Sequence, residues 1–305
     1  MENRNLLHYI IITLKGMAMG AADVVPGVSG GTIAFISGIY EELVSSINNI
    51  DISLFKTLKK DGLKAAWTQL NGNFLFALFV GIFISLFSLA TAVSWLLENQ
   101  PILLWSFFFG LVAASIFFIG KALEKWNVAT VAMLLAGAAI AYFITTLPPN
   151  ENVGSLPYLF LSGAIAVCAM ILPGISGAFI LVLLGSYKTI LDAVHERDVK
   201  IVMTVALGAI FGLLSFARLL KWMFKNYKNL TLAILTGFIL GSLPKIWPWK
   251  KVLETKTFGE KVIPIAEKNI SPFAFEGDNQ VLYAALLAIL GFSLIFILEK
   301  VASKE

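Results

Sequence analysis

The sequence predicts an all-α polytopic membrane protein of two inverted-topology repeats, each a re-entrant helix hairpin followed by three transmembrane helices. Three observations predict it. Hydrophobic residues fill 58% of the 305 positions and charged residues only 14%, with a mean hydropathy of +0.84. Soluble domains carry about 25% charged residues and need that polar surface. Apolar runs of spanning length recur along the chain. A Pro-Gly-x-Ser-Gly break then interrupts the apolar pattern twice, at Pro26-Gly27-Val28-Ser29-Gly30 and at Pro173-Gly174-Ile175-Ser176-Gly177.

Composition also excludes. The single cysteine, Cys168, lies in an apolar run, so no intramolecular disulfide is expected. Two distant histidines and one cysteine assemble no zinc-type cluster, and neither a metal nor a cofactor is expected. No small-residue cleavage site follows the first apolar run, so no signal peptide is predicted. No basic stripe with interleaved aromatics points to nucleic acid. The sequence does not set the oligomeric state.

The first repeat is assigned to residues 1–147. An apolar helix at 6–22, short of the roughly 20 apolar residues a full span needs, leads to the break at 24–31. A second short helix runs from Thr32 to about Ile47, and together they read as a re-entrant hairpin over 6–47. Irregular backbone at membrane depth is tolerated only where protein or a water-filled cavity surrounds it. Residues 50–70, with Lys56, Lys59, Lys60 and Lys64, read as an interfacial helix. Spans follow at 73–97, 102–122 and 127–147. The second repeat, 148–305, restarts the series after Pro148-Pro149-Asn150. Its hairpin covers 156–194, and spans at 200–224 and 229–246 follow. A polar extracytoplasmic loop occupies 247–279, before a last span at 280–298.

The halves match residue by residue. Pro26, Gly27, Ser29, Gly30, Gly38 and Tyr40 align with Pro173, Gly174, Ser176, Gly177, Gly185 and Tyr187 at one offset of 147 (173 − 26). A weaker echo pairs Gly110-Leu111-Val112-Ala113-Ala114-Ser115 with Gly237-Phe238-Ile239-Leu240-Gly241-Ser242. Such duplication is expected of secondary transporters. If each hairpin enters and leaves by one face, each half makes three crossings. Three is odd, so the second half is inverted and the two breaks approach each other from opposite faces. The positive-inside rule then places both termini in the cytoplasm. Fourteen of the 23 Lys and Arg fall on the side of the N-terminus, and the short opposite connections at 98–100 and 148–156 carry none.

A helix start presents unpaired N–H groups and the positive end of the helix dipole, which favours anions and phosphate above all. Ser29, Thr32 and Ser176 add hydroxyls, and glycine lets a ligand reach the backbone. Two such starts facing each other would cradle one phosphate between Pro26, Gly27, Ser29, Gly30, Gly31, Thr32, Pro173, Gly174, Ser176 and Gly177. The competing reading is tight helix packing through small residues. Gly27-Val28-Ser29-Gly30-Gly31 also fits the nucleophile-elbow pattern, but that needs a preceding strand and His and acid partners; here a helix precedes it. Intramembrane carboxylates are costly and functional by default. Asp23, whose partner by the offset is Met170, is therefore the first candidate for coupling to a proton or sodium ion; a local cap is the alternative. Glu41 is a second coupling candidate, with a solvated role as its alternative. Lys15 either contacts an anionic headgroup or snorkels to the interface.

At Gly20-Ala21-Ala22-Asp23-Val24-Val25-Pro26-Gly27-Val28-Ser29-Gly30-Gly31-Thr32-Ile33-Ala34 and at Leu172-Pro173-Gly174-Ile175-Ser176-Gly177 the chain resembles a bacterial membrane family, the polyprenyl-phosphate transporters (PopT). The resemblance extends to Gly38-Ile39-Tyr40-Glu41 and to Gly237-Phe238-Ile239-Leu240-Gly241-Ser242-Leu243. It implies a non-enzymatic flippase in the bacterial cytoplasmic membrane. Its partner would be undecaprenyl phosphate, the lipid carrier of cell-wall sugars, returned from the outer to the cytoplasmic leaflet. The breaks also look like those of undecaprenyl-diphosphate phosphatases, which carry P-G-x-S-R-S. Gly30 and Gly177 stand where that arginine would be, and without an arginine or metal little stabilises the charge that diphosphate cleavage develops. A small-anion carrier or channel would share the same cradle.

Overall fold

The structure, a computed structural model, describes residues 4–25, 28–150, 155–258 and 261–302. Helix α1 (Leu6–Val24) starts at Asn5, whose side chain accepts from the His8 amide, and stops where Val25 turns extended. Helices α2 (Gly30–Ile36) and α3 (Tyr40–Asn48) follow. The sequence reading runs one helix through this stretch. The structure divides it at Gly38, whose φ of +75° a residue with a side chain adopts only under strain. Helix α4 (Ile52–Leu70) is capped by Asp51 and kinks at Gly62. It stands off the bundle, its four lysines and Ile52, Phe55, Leu63 and Trp67 all exposed.

Helices α5 (Gly72–Asn99), α6 (Pro101–Lys121) and α7 (Val128–Thr146) complete the first half. In the second half α8 (Leu156–Ile171) ends at the second break. Helices α9 (Gly177–Leu183) and α10 (Tyr187–His195) are bent 106° from each other. The bend sits at Gly185, 147 positions after Gly38, with φ +70°. Helix α11 (Val199–Ser242) is one long element divided by the non-helical Tyr227; a 3-10 turn at Leu243–Ile246 ends it. The 247–279 stretch, expected to be a polar loop, holds an antiparallel pair, β1 (Lys250–Phe258) and β2 (Lys261–Asn269). Trp247 and Trp249 tie this pair down by donating to the Ile270 and Asn279 carbonyls, both at 2.9 Å. Helix α12 (Val281–Ala302) closes the described chain.

Among the described residues four helices are long and apolar enough to cross a membrane, or five if α9 and α10 count as one bent span. Their outer faces are apolar: Phe76, Phe79, Phe83 and Phe87 on α5 are all exposed, Phe87 at 86%. A water-soluble surface does not carry such a band. The fold is that of a helical, multi-pass membrane protein.

Helices in lipid gain little from burying apolar surface, so they pack where small residues let backbones approach. Gly16 of α1 lies against the Leu78 carbonyl of α5, and Gly81 against that of Thr13. The same pair of contacts recurs between α8 and α11, where Gly163 meets Val205 and Gly208 meets Phe160. Gly163 and Phe160 are Gly16 and Thr13 shifted by 147; Val205 and Gly208 are Leu78 and Gly81 shifted by 127 (208 − 81). The offset shrinks because α4 has no counterpart in the second half. A second set of contacts crosses between the halves. Gly110 of α6 meets Ala288 of α12 and Gly291 meets Phe107, just as Gly237 of α11 meets Leu134 of α7 and Gly137 meets Ile234. Helix α12 thus packs on α6 much as α7 packs on the second part of α11.

Candidate functional site

The two breaks meet. Pro26 and Gly27 lie outside the described residues, but their neighbours Val25 and Val28 are placed. Ser29 is the N-cap of α2: its Oγ accepts from the Gly31 amide at 3.1 Å. The same hydroxyl donates to the carbonyl of Met170, in the last turn of α8, at 3.1 Å. In return the Gly174 amide donates to Thr32 Oγ1 at 2.8 Å. Ser29 is 0% exposed and Thr32 1%, so these bonds are made away from solvent and lipid.

Two glycines make the approach possible. A Cβ on Gly31 would sit 2.6 Å from the Ile171 carbonyl oxygen and 2.8 Å from that of Met170. Gly174 has φ +93°, and a Cβ there would press on Ser242 Oγ and the Phe238 carbonyl of α11. The sequence suggests two helix starts facing each other. The structure sets the start of α2 on the end of α8, which brings opposite dipole ends together.

The first tip is closed on itself. The Gly30 amide donates to Asp23 Oδ1 at 2.6 Å, so the Asp23 carboxylate occupies the position a bound anion would take at the start of α2. A side chain on Gly30 would collide with that carboxylate. Asp23 therefore caps α2 here. The second tip is open by comparison. Ser176 is the N-cap of α9 but makes no capping bond. Among the described residues its hydroxyl and the amides of Gly177, Ala178 and Phe179 find no protein acceptor. Pro173, Gly174 and Ser176 are buried, Gly177 half-buried and Ala178 exposed.

Lys15 and Glu41 lie away from the tips. Lys15 Nζ donates to the Ser37 carbonyl at 2.8 Å, at the far, negative end of α2. Glu41 pairs with Lys228 at 3.3 Å, with both side chains half exposed. Its neighbour Glu42 makes the stronger contact, a two-pronged pair with Arg4 at 2.6 and 2.8 Å joined by Asn71. Sequence reasoning does not put Glu42 among the coupling candidates. It misses the Met170 carbonyl altogether, because a main-chain acceptor leaves no residue signal. An apolar cleft of about 480 Å³ opens between α1 and α5, lined by Ile10, Thr13, Leu14, Phe76, Ala77 and Val80 among others.

Comparison with known proteins finds relatives over most of the chain. The profile of the undecaprenyl phosphate translocase-like family matches residues 19–262. A polyprenyl-phosphate transporter of Vibrio cholerae is 47% identical over 304 residues, 98% of this chain and 98% of the relative. A polyprenyl-phosphate transporter of Staphylococcus aureus is 30% identical over 253 residues, 77% of this chain and 85% of the relative. No solved structure matches the chain significantly.

Proposed function

We propose that this chain, which belongs to the undecaprenyl phosphate translocase-like family, carries undecaprenyl phosphate from the outer to the cytoplasmic leaflet for reuse in cell-envelope polymer synthesis. The observation that carries the mechanism is the contact between the two Pro-Gly-x-Ser-Gly breaks, Ser29 on Met170 and Gly174 on Thr32. The scaffold is two inverted repeats, 1–147 and 148–305, each a re-entrant hairpin plus three spans. The recurring glycine contacts at matched offsets support it. Hairpins entering from opposite faces bring their tips together near the midplane, where transporters of this kind bind their substrates.

The phosphate first meets the Ser176 hydroxyl and the unengaged amides beside it. It then displaces Asp23 from Gly30 and gains the donors of Gly30, Gly31 and Thr32. A proton or sodium ion taken up by Asp23 weakens its hold on the Gly30 amide and frees that donor. Coupling therefore acts at the one carboxylate that competes with the substrate. The isoprenoid tail stays in lipid, and the cleft between α1 and α5 offers it an apolar wall.

Reconstitution with undecaprenyl phosphate and undecaprenyl diphosphate side by side tests this function. Leaflet movement of the monophosphate without phosphate release is expected. Release of phosphate from the diphosphate would instead make the chain an enzyme.

A further inference from the structure

Near the second tip, two cations share one anion. Lys245, in the 3-10 turn after α11, and Lys250, at the start of β1, each lie 3.4 Å from the same Glu267 oxygen of β2. Both separations exceed the roughly 2.7–2.9 Å of a charge-assisted hydrogen bond, whereas Arg4 and Glu42 close to 2.6 Å. All three side chains are sheltered, at 23%, 9% and 19% exposure for Lys245, Lys250 and Glu267. Two ammonium groups against one carboxylate leave a positive charge that no other acid among the described residues pairs.

The remaining partners are neutral. Lys250 donates to the Lys245 carbonyl at 2.8 Å and stands 4.2 Å from the centre of the Trp105 ring. Lys245 stands 5.0 Å from the ring of Phe179. Aromatic faces hold cations without neutralising them. Burial pulls the Lys250 ammonium down to about 8, outweighing the attraction of Glu267, as expected of an under-compensated cation. Phe179 lies in the first turn of α9, three residues after Ser176. The offset of 127 carries Lys245 onto Phe118, so the first half has no such lysine and the two faces differ.

We propose that Lys245 and Lys250 form a receiving site for a phosphate monoester on the strand-pair face, in which the phosphate replaces Glu267 between the two ammonium groups before passing to the second tip. The site rests on the reading of the chain as a polyprenyl phosphate carrier. A phosphate monoester carries a charge of about −1.5 to −2 at neutral pH and so matches two lysines better than one carboxylate does. Glu267 already borders solvent and turns outward when displaced.

Titration of the full chain in nanodiscs with farnesyl phosphate, inorganic phosphate and farnesol tests it. Replacing both lysines by glutamine should weaken farnesyl phosphate binding about tenfold or more, the scale of losing a hydrogen bond to a charged group. Glu267→Gln should tighten it several-fold by removing the competitor. A purely structural strap makes the opposite forecast, because Glu267→Gln would then loosen the strand pair and weaken binding. Wild-type affinity in the double lysine variant, with melting unchanged, or weaker binding in Glu267→Gln would overturn the site. Inorganic phosphate binding as tightly as farnesyl phosphate would overturn the lipid source while supporting phosphate chemistry. Should the wild type carry undecaprenyl phosphate while the lysine variants bind and carry it equally well, this site alone falls. No transport by the wild type would sink the carrier reading itself.

Discussion

The two serines that align at the offset of 147 are not equivalent in the structure, and a paired substitution exposes the difference. Ser29→Ala removes the N-cap bond to Gly31, worth about 1 kcal/mol. It also strips the Met170 carbonyl of its donor in a buried site, a further roughly 1–3 kcal/mol. The tips should come apart by about 1–3 kcal/mol more readily, a shift of roughly fivefold or more in their pairing equilibrium at about 1.4 kcal/mol per decade, and the lost cap lowers overall stability further. Ser176→Ala removes a hydroxyl that makes no capping bond and should change stability by less than about 0.5 kcal/mol. Thermal unfolding in nanodiscs, with hydrogen exchange followed at Gly30–Thr32 and at Gly174, reads both. Ser29→Ala should melt earlier and lose protection on both tips. Ser176→Ala should melt with the wild type yet slow leaflet movement. Equal losses of stability in the two variants would refute the asymmetric contact.

Other substitutions probe separate parts of the account. Gly31→Val should block tip contact and abolish transport, because its side chain would collide with the Met170 and Ile171 carbonyls; leaflet assays in proteoliposomes check this. Asp23→Asn keeps an oxygen for the Gly30 amide but cannot ionise, so transport should persist with its pH and cation dependence lost. Gly81→Leu and Gly208→Leu should each destabilise by about 1–3 kcal/mol or more through overpacking at matching helix crossings, as measured by melting. Farnesyl phosphate affinity should fall as pH rises through about 8, where Lys250, facing Lys245 and Glu267, gives up its proton. Lys250→Arg, which stays charged, should remove that dependence.

How far the sequence can be read differs from element to element, and the differences have physical causes. Helical class is written in composition, because lipid demands apolar side chains and satisfied backbone. The two breaks stand out because Pro, Gly and Ser are rare together in an apolar run, and one offset relates them. The division between α2 and α3 is harder to see. It turns on the positive φ of Gly38, and a glycine in a sequence does not announce its φ. The strand pair is hidden by its charge: Lys250, Lys251, Glu254 and Lys256 on β1 look like a solvated loop. Its anchors, Trp247 and Trp249, act through carbonyls 23 and 30 positions away.

At the site, residue types point to the chemistry but not to the pairing. Ser29 and Thr32 read as donors for a ligand, yet the structure turns them on Met170 and Gly174, because a buried hydroxyl must find a partner. Lys15 reads as a headgroup contact or a snorkelling cation, and the structure sets it on the Ser37 carbonyl, where a cation suits the helix end.

The most direct test is to lock the two tips together. Ser29→Cys and Leu172→Cys, introduced with Cys168→Ala, place two thiols where Ser29 now approaches the Leu172 carbonyl. A short thiol-specific cross-linker should join them and stop undecaprenyl phosphate movement in proteoliposomes, and reductive cleavage of the linker should restore it. Cross-linked protein that still moves the lipid at the uncross-linked rate would contradict tips that must part to let the headgroup through.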